Sequence, residues 1–246
     1  MKSKSLRIKA VKRFIDLVEN MVFERRMRKY YRIVFQVQNL NTVIDVGANK
    51  GQSIDFFLSI NPLVKIYALE PNPRLYDLLV DKYSKWPRVK IFNLGVSDVS
   101  GKKMFFENVF DYTSSFEHLN EESEYLKRKA RILGVKTDQI IAKKYPVNVI
   151  TIDELIKKEV FEERIDIIKI DTEGHEYYCL KGLFENGLSK PVDLIQIENH
   201  NDDMYRDRIP YDNIRHLLIH NGFHEVATIK HGFSNLDEVV YKYIGC

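Results

Sequence analysis

The sequence predicts an α/β protein: a mostly parallel sheet with helices on both faces. Three observations predict it. Short β-rich runs alternate with helical patterns from residue 42 onward. The connections between them are short. The run Ile165–Ile170 (IDIIKI) leaves no face for solvent, as expected of a central parallel strand.

The elements follow in order. Residues 5–38 read as a helix, with Leu6, Ile8, Val11, Phe14, Ile15, Leu17, Val18 and Val22 broadly at helical spacing and basic clusters at Lys12–Arg13 and Arg25–Lys29. Thr42–Val46 (TVIDV) is a first strand and Gly47–Gly51 a loop, and Ile54, Phe57 and Leu58 mark a helix behind it. Lys65–Leu69 is a second strand, Pro71-Asn72-Pro73 opens a helix over Leu75 to Tyr83, and Val89–Phe92 is a third strand. The alternation breaks over about 102–146. Gly101 to Glu107 reads as a strand or hairpin and 117–145 as polar and helical in part, together an insertion over one end of the sheet. It resumes with a helix at Ile152–Lys157, the strand Ile165–Ile170, and a helix from His175 to Asn186 ended by Gly187. A strand at Val192–Ile197 and a helix at Tyr211–His220 come next, and Phe223–Ile229 and Leu236–Ile244 close the chain as an antiparallel hairpin through His231-Gly232. The division is therefore a basic helical appendage over 1–40 and one domain over 41–246.

Composition narrows the function classes. The 246 residues are 44% hydrophobic and 30% charged, which excludes a disordered, collagenous or disulfide-scaffold chain. Two cysteines, Cys179 and Cys246, are too few for a zinc ribbon or disulfide framework, so a reducing, cytoplasmic setting is expected. No apolar run reaches the length of a membrane span, and the charged N-terminus has no signal-peptide core. The net charge of +3 does not favour a nucleic-acid partner, but it is unevenly spread. Residues 1–35 hold eleven Lys/Arg against three Asp/Glu, a net of +8, leaving −5 for the remainder. The basic helix either packs on the domain, or touches an anionic membrane surface peripherally, meets an anionic substrate or forms a lid; packing is favoured. No signal for an oligomeric interface is evident.

The informative loop is Asp45-Val46-Gly47-Ala48-Asn49-Lys50-Gly51, between the first strand and the first helix. Glycine allows close backbone approach or a positive φ, and helix N-terminal N–H groups suit a polar ligand. Glu70 ends the second strand, 23 residues after Gly47, where a carboxylate can accept both ribose hydroxyls. Ser97 and Asp98 end the third segment, where they can meet an adenine amino group. A dinucleotide fold asks for glycine where Asn49 stands, so a nicotinamide cofactor is disfavoured and a phosphate-free nucleoside such as S-adenosylmethionine is favoured. Asp45 then lies near the cationic methionine end.

These segments are similar to the FkbM family of S-adenosylmethionine-dependent methyltransferases. The likeness rests on VIDVGANKGQS (43–53), IYALEPNPRLYDLL (66–79), VKIFNLGVSDVSG (89–101), VNVITIDELI (147–156), IDIIKIDTEGHEYYCLKGL (165–183) and LIQIENH (194–200). It implies a Rossmann-like class I methyltransferase fold, a three-layer sandwich whose seven-stranded sheet has its last strand antiparallel. It implies O-methylation of sugars, polyketides and related metabolites, hence a small-molecule or glycan acceptor. Asp45, Gly47, Ala48, Asn49 and Gly51 match the cofactor loop, and Glu70 the ribose acid, with Pro71 and Asn72 shaping its turn. Ser97 and Asp98 match the adenine position. Asp171, Glu173, Gly174 and His175 match the loop facing the transferred methyl.

Methyl transfer from a sulfonium is an in-line displacement, and a neutral hydroxyl needs a base or a metal to help it. His175 is the first candidate base because its pKa lies near working pH, with Asp171 and Glu173 orienting substrate or assisting. His175 could instead cap the following helix or bond Asp171. Asp171, His175, Glu198 and His200 could also hold a divalent metal, but two imidazoles suit hard ions poorly, so a metal-free site is favoured. Lys169, inside a buried strand, is expected to pair with a carboxylate. The D/N-P-P-Y/F element that cradles a planar amino nitrogen is absent after the fourth strand. Two rivals stay open: an RNA methyltransferase, suggested by the basic arm, and a nucleoside-binding module without catalysis.

Overall fold

The computed structural model describes residues 27, 30, 31, 40–109, 113–133, 136–200, 202–206, 208–230 and 236–245. The proposed N-terminal helix, apart from helical Met27, Tyr30 and Tyr31, and the His231-Gly232 turn lie outside the described residues.

Seven strands form the main sheet: β1 (Thr42–Val46), β2 (Lys65–Leu69), β3 (Val89–Phe92), β7 (Ile165–Ile170), β8 (Val192–His200), β9 (Phe223–Lys230) and β10 (Leu236–Tyr243). Their order is β3-β2-β1-β7-β8-β10-β9. Pairings from β3 to β8 are parallel, and β10 runs antiparallel to both β8 and β9. The last strand in the chain is thus the reversed one. The interior strands consist of apolar and β-branched residues buried on both faces, and each fully buried isoleucine contributes about 1.5–3 kcal/mol.

The period of two divides the core. Ile44, Val46, Ile168, Ile170, Ile195 and Ile197 face α4 (Ile152–Glu159), α5 (Glu176–Phe184) and α6 (Tyr211–His220). Val43, Ile66, Ala68, Ile167, Leu194 and Val240 face α1 (Gln52–Ile60), α2 (Pro73–Lys82), Met27 and Tyr31. Helix starts are set locally. Asn72 accepts a hydrogen bond from the Arg74 amide with Pro73 following, and Thr151 accepts one from the Glu154 amide. Among the described residues no helix is long and apolar enough to cross a membrane.

The insertion holds the strand expected from Gly101 and the partial helix expected within 117–145, and adds a strand that the sequence reading lacked. Among the described residues, α3 (Glu124–Leu133), a 3₁₀ turn (Thr137–Gln139) and Thr113 are helical within it. The remainder builds a second sheet, β4 (Gly95–Val96), β6 (Ile141–Ile150) and β5 (Gly101–Asn108), in the order β4-β6-β5. Lys143, Lys144 and Pro146 hid β6 in the sequence. Pro146 is tolerated because β4 reaches only Val149 and Ile150, leaving β6 an edge strand at that point. β8 also runs on to His200, three residues past its expected end, and carries Glu198 into the site.

Candidate active site

The carboxyl ends of β1, β2, β7 and β8 meet under the segment holding Ser114, Ser115 and Phe116, and enclose a cavity of about 240 Å³. Gly47, Ala48, Asn49, Glu70, Pro71 and Leu94 to Val96 line it, as do Lys169, Asp171, Thr172, Glu173, Gln196, Glu198 and Glu238. Met27, Phe56 and Phe57 add an apolar wall.

The loop needs its glycine. Gly47 has φ +84°, and a Cβ there would lie 1.9 Å from the Asp171 carbonyl oxygen. Its N–H and that of Ala48 donate to the Leu69 carbonyl at 3.0 and 3.1 Å, tying the loop to β2. Asn49 also takes a positive φ, 49°, and donates its N–H to Glu70 Oε2 at 2.8 Å. Glu70 Oε1 accepts from the Asn72 amide at 2.8 Å, so one buried carboxylate holds both turns. Gly51 starts α1 in a left-handed conformation, its carbonyl 2.7 Å from the Tyr83 hydroxyl.

On the face of the sheet under α1, apolar residues give way to charge toward the cavity. Asp45, Lys169 and Gln196 stand opposite one another on β1, β7 and β8, and Glu198 stands opposite Glu238. Asp45 is fully buried beneath the loop, accepts from the Ser53 hydroxyl at 2.5 Å and does not itself line the cavity. Burial raises its pKa, with Lys169 and Ser53 opposing. Lys169 Nζ lies 2.7 Å from Asp171 Oδ2. Burial works against its charge, yet Asp171, Asp45 and Glu238 outweigh it and keep the ammonium protonated. Burial likewise opposes ionisation of Asp171, and Lys169 overcomes it, so the Asp171 pKa is lowered. Burial and then Asp171 push Glu198 well above the usual carboxylate range.

The loop after β7 is held by Glu176, whose Oε1 accepts from the Thr172 amide at 3.0 Å and the Gly174 amide at 3.1 Å. Glu173 sits at φ 56°, and its Oε2 accepts from the Tyr205 hydroxyl at 2.7 Å. Ser115 Oγ donates to the Glu173 carbonyl at 2.7 Å, fastening the cavity's cover to this loop.

His175 is placed apart. Its ring is fully buried and does not line the cavity. Nδ1 lies 2.5 Å from Glu117 Oε1 and Nε2 3.0 Å from Ser97 Oγ. A neutral ring protonated at Nδ1 donates to Glu117 and leaves Nε2 to accept, with Ser97 Oγ and, at 3.4 Å, Lys103 Nζ beside it. Phe116 and Tyr178 pack on it, at 5.1 and 4.7 Å between centroids. Both nitrogens are engaged by protein groups and the ring stands outside the cavity lining, away from where the expected base would meet an acceptor. Ser97 and Asp98 also stand behind the wall, and Asp98 Oδ2 accepts from Lys181 Nζ at 3.0 Å rather than facing the cavity. Leu94, Gly95 and Val96 line the cavity in their place. Of the four metal-ligand candidates, Glu198 and His200 come together with Glu173, and His175 does not.

Burial is the main cause that lowers the His175 pKa, partly offset by Glu117. The native state therefore binds fewer protons than the unfolded chain below the ordinary pKa of 6.5. Stability should fall as pH drops through that value and be regained above it. A His175→Gln variant, which does not titrate, should show less of this acid loss in urea denaturation; equal pH slopes would contradict it.

Sequence reasoning passed over Ser53, Gln196 and Glu238. Glu238 carried a signal: a carboxylate just before Val239-Val240-Tyr241 in a strand whose middle is buried.

A family model described as Methyltransferase FkbM domain matches residues 45–225. The chain is similar to the AMB antimetabolite synthetase AmbE of Pseudomonas aeruginosa, 26% identical over 201 residues, covering 74% of this chain and 9% of that protein. It therefore spans under a tenth of AmbE. It is also similar to the 2-O-methyltransferase NoeI of Sinorhizobium fredii, 25% identical over 179 residues, covering 72% of this chain and 70% of NoeI. Among solved structures it is similar to the fibrillarin pre-rRNA processing protein of Methanococcus jannaschii, with a TM-score of 0.46 and 12% identity over 85% of this chain and 69% of that one.

Proposed function

The chain belongs to the FkbM methyltransferase family, and from that premise we propose that it moves the methyl group of S-adenosylmethionine onto a hydroxyl of a small molecule or glycan. One observation carries the reading: a single cavity has a glycine loop and a buried ribose-type carboxylate at one side and a carboxylate-rich wall at the other. Glu70 accepts the ribose hydroxyls beside the amides it already holds, and Gly47 to Asn49 and Gly51 give the methionine part a close backbone approach. Pro71 and Asn72 shape the ribose side. Ser97 and Asp98 act on the adenine side through the Leu94–Val96 wall. The buried carboxylates suit a ligand carrying a sulfonium.

The acceptor oxygen attacks the methyl carbon, the carbon–sulfur bond breaks, and its electron pair stays on sulfur as a thioether. Asp171, held ionised by Lys169, takes the hydroxyl proton. Glu173, Thr172, Ser114 and Ser115 supply hydrogen-bond partners for a hydroxylated acceptor. His175 positions this loop from behind through Glu117 and Ser97. The NoeI likeness supports oxygen as the acceptor atom.

Methyl-labelled S-adenosylmethionine should transfer its label to a sugar or polyketide hydroxyl from an acceptor panel, with the O-methyl group assigned by NMR. Asp171→Asn should cut turnover by about 10² or more while the product S-adenosylhomocysteine still binds. Label on nitrogen, or on RNA alone, would overturn the reading.

A further inference from the structure

We propose that Glu173, Glu198 and His200 form a binding site for a divalent transition-metal ion of the Mn²⁺ class, at the carboxylate wall of the cavity. The three side chains offer one oxygen, one oxygen and one nitrogen within 4.8 Å of one another. His200 Nε2 lies 3.0 Å from Glu198 Oε2 and 3.6 Å from Glu173 Oε2. Ligands held about 2.1 Å from one ion at right or tetrahedral angles are separated by roughly 3.0–3.4 Å, so these spacings suit a shared ion.

A second observation points the same way. His200 is 2% exposed, and neither of its ring nitrogens has a hydrogen-bond partner among the described residues. Glu198 Oε2, also buried and also without a hydrogen bond, faces the ring across the same gap. Buried polar atoms are seldom left so, and one cation satisfies both sides at once. The surroundings are those of a supported site. The Tyr205 hydroxyl fixes Glu173 from behind. The carboxylate of Asp202, equally buried, lies 4.0 Å from His200 Nδ1, where it can set the ring's tautomer. The adjoining group of Asp171, Glu198 and Glu238 is a poorer choice: Lys169 already meets Asp171, and Gln196 donates to Glu238.

One imidazole with two carboxylates suits Mn²⁺, Fe²⁺ or Zn²⁺ better than Ca²⁺ or Mg²⁺, which prefer oxygen alone. Glu173 and Glu198 line the cavity, so an ion there would draw electron density from an acceptor hydroxyl as its proton leaves. That role rests on the proposed function; the existence of the site does not.

The test uses the full chain, treated with chelator, dialysed and titrated with Mn²⁺, with free ion followed by electron paramagnetic resonance. One Mn²⁺ per chain is expected, and Glu173→Gln, Glu198→Gln and His200→Gln should each weaken binding about tenfold or more. Glu122→Gln, at an exposed position outside the cluster and the cavity, should not. Melting curves identify any variant that fails to fold. No Mn²⁺ binding by the unaltered chain, or unchanged affinity in folded His200→Gln, would overturn the proposal. S-adenosylhomocysteine binding is measured on the same samples. An unaltered chain that binds Mn²⁺ but not S-adenosylhomocysteine counts against the methyltransferase reading and leaves the metal site standing.

Discussion

Lys169→Met should destabilise the protein by about 3–5 kcal/mol, the usual cost of removing one partner from a buried charge pair. Lys169 is 7% exposed and balances Asp171, Asp45 and Glu238 around it. Methionine fills much the same volume, so the loss reports charge and not a void. At roughly 2–4 °C per kcal/mol for a chain of this size, the melting temperature should drop by roughly 6–20 °C. The effect has a pH signature. In the native chain the Asp171 pKa is lowered, so its pairing contributes above the unfolded carboxylate pKa and is lost as pH falls through the native value. In the variant the unpaired carboxylates protonate more easily, so the gap between variant and parent should narrow on acidification. Scanning calorimetry at several pH values, with chelator present, checks both statements. A shift of a degree or two, constant with pH, would mean that Lys169 is not the counter-charge of this cluster.

Glu70→Ala should weaken cofactor binding about a hundredfold with far less effect on the fold. The carboxylate ties the Asn49 and Asn72 amides, and in the proposed complex it also accepts ribose hydroxyls. Losing charge-assisted bonds worth about 3 kcal/mol in all corresponds to roughly a hundredfold in affinity. Glu70→Gln should fall between, since the amide oxygen can keep one backbone N–H while its NH₂ group opposes the other. Asn49 lines the cavity, where water can meet its freed amide, and no charge is left unpaired, so the melting temperature should move much less than in Lys169→Met. An Ala variant that binds as tightly as the parent would remove Glu70 from the ribose role.

The strands and the first loop were legible because their signals are local. Short, β-branched unbroken runs such as IDIIKI read as central strands, and Gly47, Asn49 and Glu70 lie within one strand–helix–strand unit. The FkbM likeness drew on those same segments, and the family match over 45–225 bears it out. What escaped was long-range. His175 reads as a base from its residue type, but it meets Ser97 from 78 residues away and Glu117 from 58, and neither contact leaves a periodic trace. Glu238 reaches the cavity because β10 inserts between β8 and β9, a topological fact that no short window contains. The strand β6 was masked by two lysines and a proline, which an edge position accommodates.

In the proposed function, the cavity beneath Gly47 and Glu70 binds S-adenosylmethionine. Isothermal titration calorimetry with S-adenosylhomocysteine tests it most directly. Saturable binding of one ligand per chain, weakened about a hundredfold in folded Glu70→Ala, is the predicted result. No binding by folded protein at millimolar ligand, or binding indifferent to Glu70, would contradict it.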